Sequence, residues 1–87
     1  MIDGAMVEID PQGAGRLEMV TTVTDLTEGS PFELERFDDL GDGNLLLTFR
    51  LRKPGTAIGY RNVIDLQHRL ATRFDVVAAE RRSGLAS

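Results

Sequence analysis

Eighty-seven residues, 41% hydrophobic and 28% charged, make one ordinary globular domain with a small core and exclude a disordered chain. The lack of cysteine excludes disulfides and thiolate metal sites, and a single histidine excludes Cys–His chemistry and the usual His-based metal centres. The net charge of −4 is sorted by position: residues 1–49 hold eleven acidic and two basic side chains, residues 50–87 three acidic and eight basic.

The apolar runs, such as Leu45–Leu47, fall far below the ~20 residues of a membrane span, so no membrane insertion is expected of this segment. Met1-Ile2-Asp3-Gly4 lacks the basic and apolar segments of a signal peptide, and a cytoplasmic setting is expected. Residues 1–4 are expected to be disordered or cloning-derived, 5–82 to form a single α+β domain, and 83–87 to be a flexible tail.

Ala5–Asp10 alternates loosely, as a short strand does, and Pro11-Gln12-Gly13-Ala14-Gly15 reads as a turn or connector. Arg16–Thr24 reads as a strand, with Leu17, Met19, Thr21 and Val23 on one face and β-branched residues throughout. After a break at Asp25–Gly29, Ser30-Pro31-Phe32-Glu33 fits the capping-box pattern, and Leu34, Phe37 and Leu40 recur every three residues. A short helix over 31–40 is therefore preferred. The competing reading is a strand in which Phe32 and Leu34 alternate with Glu33 and Glu35, followed by a hairpin turn at Gly41–Asn44.

Asn44–Lys53 is the clearest strand: Leu45, Leu47, Phe49 and Leu51 line one face, Leu46, Thr48, Arg50 and Arg52 the other. Pro54-Gly55 ends it. Ala57–Thr72 follows the 3/4 spacing of an amphipathic helix through Tyr60, Val63, Ile64, Gln67, Leu70 and Ala71. Phe74–Glu80 fits both a strand and a continuing helix, and its Val-Val pair favours the strand.

The resulting string is β-β-α-β-α-β. It implies a small open-faced α+β sandwich, with an antiparallel-rich sheet of about four strands and two helices on one face. The arrangement is analogous to a ferredoxin-like plait or to ACT-like regulatory modules, without assigning a family. The alternative is a four-stranded meander under one long C-terminal helix.

Catalysis finds little support. His68 sits between Gln67 and Arg69 as a surface helix residue would, and no serine lies in a Gly-x-Ser-x-Gly elbow. Asp38-Asp39-Leu40-Gly41-Asp42-Gly43-Asn44 resembles part of a calcium loop, but Leu40 and Phe49 fall where ligands are needed, which leaves an ordinary turn. The most suggestive segment runs from Arg50, Arg52 and Lys53 through Gly55 to Arg61, where cations flank a loop before a helix, a setting suited to an anion or an acidic partner. A pI of 4.8 argues against nucleic acid.

The function expected is therefore a non-catalytic regulatory or interaction module that self-associates, as a homodimer, or binds a protein partner. The alternatives are binding of a small phosphate- or carboxylate-bearing ligand by the basic loop 50–61, and nucleic-acid binding through the basic C-terminal half. No cofactor and no metal are expected.

Overall fold

In a computed structural model of the chain, residues 4–82 are described. The expectations for residues 1–3 and 83–87 lie outside the described residues, whereas Gly4 is the first residue of a strand. The elements are β1 (Gly4–Asp10), α1 (Arg16–Leu26), β2 (Phe32–Asp39), β3 (Leu45–Leu51), α2 (Tyr60–Ala71) and β4 (Asp75–Arg82). The sheet order is β2-β3-β1-β4, and every adjacent pair is antiparallel. Two split βαβ units thus interleave, as in the ferredoxin-like plait.

Four strands and two helices are present as expected, but two elements exchange identity. Residues 16–26 are helical although Thr21, Thr22, Val23 and Thr24 are β-branched. Tertiary packing overrides their weak helix preference. Met19, Val23 and Thr27 recur every four residues and are all at most 1% exposed, while Leu17, which shared a face with Met19 and Val23 in the strand reading, is 80% exposed. The Thr27 hydroxyl donates to the Val23 carbonyl at 2.8 Å and closes the last turn.

Residues 32–39, expected to be helical, form β2. The misleading signal is a β-bulge. Leu34 opposes Phe49 and Arg36 opposes Thr48, so Glu35 is an extra residue on this strand. The insertion sets Leu34 and Phe37 on the same face at a spacing of three, which imitates a helix. Ser30 Oγ does accept a backbone N–H, that of Phe32 at 3.2 Å, but the bond opens a strand.

A second bulge explains the ambiguity of residues 74–80. Glu8 opposes Ala78 and Ile9 opposes Val76, which leaves Val77 unpaired and 53% exposed. β4 is a strand, and β1 lies between β3 and β4, so the meander with one long C-terminal helix is not the fold. α2 starts at Tyr60, later than Ala57, with the Gly59 N–H held by Asn62 Oδ1 at 2.9 Å.

The core lies between the two helices and one face of the sheet. Ala5, Val7, Ile9, Phe32, Leu47 and Phe49 supply the sheet side; Met19, Val23, Val63, Leu66 and Leu70 supply the helices. The i, i+3, i+7 spacing of Val63, Leu66 and Leu70 makes the buried stripe of α2. No helix among the described residues is long and apolar enough to cross a membrane.

Candidate functional site

The basic segment 50–61 is only partly brought together. Arg50 opposes Glu33 across β2 and β3, and its Nε donates to Glu33 Oε1 at 2.9 Å. Arg52 lies 3.7 Å from the other oxygen of Glu33. It also donates to the carbonyls of Ser30 and Thr27, each at 2.9 Å. Arg50 thus ties β3 to β2, and Arg52 ties the end of β3 to the α1–β2 connection. Lys53, Gly55 and Arg61 are exposed along the β3–α2 loop and the first turn of α2. Gly55 takes φ +85°, where a side chain is strained.

The remaining late cations disperse. Arg69 pairs with Asp65 at 2.8 Å and donates to the carbonyls of Leu26 at 3.3 Å and Glu28 at 2.9 Å. Arg73 borders a cleft beside Gln12 and Glu18, and Arg82 ends β4 on the opposite side of the sheet from α2. The structural role of Arg52 and Arg69 was not apparent in the sequence. Both meet the carbonyl end of α1, which attracts cations, and residues 16–24 read as a strand, so no helix end was there to look for.

The acidic turn is a hairpin. Asp39 Oδ1 accepts the Gly41 N–H at 2.8 Å, Asp42 Oδ1 accepts that of Asn44 at 3.4 Å, and Gly41 and Gly43 have positive φ. Its carboxylates thus hold the turn, and no group of three or more metal-ligating side chains occurs among the described residues. His68 is exposed near the end of α2.

A cleft of about 430 Å³ opens between the β1–α1 turn and the β2–β3 hairpin. Arg16 lies over the Phe37 ring, 5.3 Å from its centroid, and Asp39 lines the same cleft. Sequence reasoning passed over Arg16 because it assigned that residue to a strand.

A further surface is the sheet face opposite the helices. Strand alternation and register put Met6 between Thr48 and Glu80, and Glu8 between Leu46 and Ala78. Met6 and Leu46 are half-buried and Ala78 is exposed. Thr48 is 4% exposed, and its hydroxyl has no hydrogen-bond partner among the described residues. Asn44 Nδ2 donates to Glu8 Oε1 on this face at 3.1 Å, and Arg36 pairs with Asp38 at 3.3 Å.

The architecture recurs in a solved protein. The TT0538 protein from Thermus thermophilus superposes with a TM-score of 0.77 over 92% of this chain at 20% identity. At that identity the likeness is one of fold alone, and the chain spans 18% of the length of that protein. No protein family and no curated protein matches the sequence.

Proposed function

We propose that this chain is a non-catalytic interaction module that works through the uncovered face of its sheet. The observation that carries this reading is the asymmetry of the sheet: one face is covered by both helices, while the other presents Met6, Leu46 and Ala78 with only side chains over them. Apolar side chains set among charges are the composition of a recognition surface. A photo-crosslinking residue at Ala78 should form adducts in cells, and one at Thr21 on the exposed side of α1 should not. Equal labelling at both positions, labelling at Thr21 alone, or none at either would overturn the reading.

A second reading, capture of a small carboxylate- or phosphate-bearing ligand, is favoured by the cleft at Arg16. Among the described residues Arg16 has no carboxylate partner within ion-pair distance, whereas Arg50 and Arg52 both engage Glu33. Titration with inorganic phosphate or an α-amino acid should shift amides at residues 11–16 and 37–45. Shifts centred on Lys53–Arg61 would return the site to the basic loop, and shifts without a centre would remove it.

A further inference from the structure

We infer that the occupant of the uncovered sheet face is a second copy of this chain, packed face to face with its strands running the opposite way. The inference rests on the reading of that face as an interaction surface and adds the partner and its orientation.

The argument is a charge gradient along the strands. At one end of the face, register aligns Glu33, Arg50 and Arg82 in one transverse row, with Gly4 between the two arginines. Glu33 is bonded to Arg50, so Arg82 is the cation left over in that row. At the other end, Asp10 opposes Asp75, next to a row that holds Asp38 and Glu8. Those two rows contain four carboxylates and no cation on this face among the described residues.

Two symmetric ways exist to lay such a face on itself. A two-fold axis parallel to the strands lays β4 on β2: Arg82 meets Glu33, which Arg50 already holds, and the end with Asp10, Asp75, Asp38 and Glu8 lies on the same end of the second copy with no cation among them. An axis across the strands, passing over Val7, exchanges the ends. Counting pairs outward from Val7, Arg82 then meets Asp75 of the second copy, Arg36 meets Asp38, and Thr48 meets Leu46. Unlike charges face each other at both ends, and the buried Thr48 lies under an apolar neighbour near the axis. The first arrangement stacks the carboxylate ends of both copies without a cation, whereas the second brings Arg82 to Asp75 twice and is isologous and closed.

The size of the face sets the strength. Four strands ~4.8 Å apart and about seven residues long at ~3.3 Å each give roughly 400–450 Å² per copy. That is about half the ~800 Å² per partner of a stable interface. The dimer is therefore weak, dependent on concentration, and sensitive to salt because its end contacts are exposed ion pairs.

Arg82 and Asp75 are exposed ends of β4, outside the core, so both can be reversed without disturbing the fold. Sedimentation velocity over about ten micromolar to one millimolar protein at low salt should show a monomer–dimer equilibrium that weakens with added salt. Each contact occurs twice in the dimer, so Arg82→Glu or Asp75→Arg alone should weaken it about tenfold. The double variant Arg82→Glu/Asp75→Arg, and an equimolar mixture of the two single variants, should restore it. A monomer throughout, a dimer indifferent to both reversals, or reversals that are not rescued would overturn the inference. Adducts from Ala78 to a different protein, with none between copies, would overturn self-association and leave the interaction reading standing.

Discussion

Arg69 and Glu28, forty-one residues apart, are joined by a guanidinium-to-carbonyl hydrogen bond of 2.9 Å that pins α2 to the end of α1. Arg52 holds the same connection from the β3 side through the Thr27 carbonyl at 2.9 Å. Two cations thus meet the carbonyl end of a helix whose own sequence favours helix weakly. Hydrogen bonds from a charged donor are worth ~1.5–3 kcal/mol when buried. Both side chains are partly exposed, at 41% for Arg52 and 35% for Arg69, which lowers that figure. Arg52→Ala and Arg69→Ala are each expected to destabilise by about 1–1.5 kcal/mol, or roughly 5–10 °C in Tm for a domain of this size. Lysine at either position should recover less than half, because the two-pronged donor is lost. Urea unfolding checks this, and a loss under about 0.3 kcal/mol at both sites would assign the arginines to the surface.

The parts of the fold legible in the sequence are those where side-chain period and backbone agree. Leu45, Leu47, Phe49 and Leu51 alternate without interruption in β3, and the 3/4 spacing marks α2 through Val63 and Leu70, although its buried stripe runs through Leu66 and leaves Tyr60 and Ala71 exposed. The illegible parts share one cause. Glu35 and Val77 are bulge residues, and each converts a period of two into a local step of three. In α1 the side-chain preferences point to a strand, and only packing of Met19, Val23 and Thr27 makes a helix. The class survived because a helix read as a strand and a strand read as a helix left the element counts unchanged. The candidate site was legible in part. Arg50 and Arg52 do share a neighbourhood, but Glu33, which lies in the segment expected to be helical, joins them. The uncovered face depends on the pairing of four strands and on both bulges, and no local pattern encodes that.

Thr48→Val tests the hydroxyl on the uncovered face. Its Oγ1 is buried without a partner among the described residues, and such a group loses hydration with nothing in exchange. Valine has the same shape without the polar atom. The variant is expected to gain about 1 kcal/mol, read as a higher urea midpoint at unchanged m. A loss of similar size would show that the hydroxyl is hydrogen-bonded in solution.

Gly4→Ala tests how closely β1 and β3 approach at the basic end of the face. A Cβ at Gly4 collides with the Phe49 carbonyl oxygen, a backbone atom that cannot rotate away. Overpacking of this kind costs about 1–3 kcal/mol, and the strand end should open to relieve it. Hydrogen exchange should therefore quicken at Gly4 and Arg50 before it does at Val7 and Leu47. Uniform protection along β1 would contradict the close approach.

Deletion of Glu35 tests the bulge itself. Leu34 already opposes Phe49 and Arg36 already opposes Thr48, so removing the residue between them restores a regular ladder. Phe32, Leu34 and Phe37 all keep their faces, because the inserted residue is what separates the two alternating halves of β2. The deletion should be nearly neutral, within about 1 kcal/mol of wild type. Deletion of Glu33 has the opposite consequence: Phe32, fully buried, moves to the wrong face, and Arg50 loses its partner. That variant should lose about 3–5 kcal/mol, enough to unfold a domain of this size. The bulge also bends β2, an edge strand, away from a straight template for pairing. The Glu35 deletion should therefore stay folded yet aggregate more readily, seen as early-eluting species on size exclusion at rising concentration. If deleting Glu35 and deleting Glu33 cost the same, the register assigned to β2 is wrong.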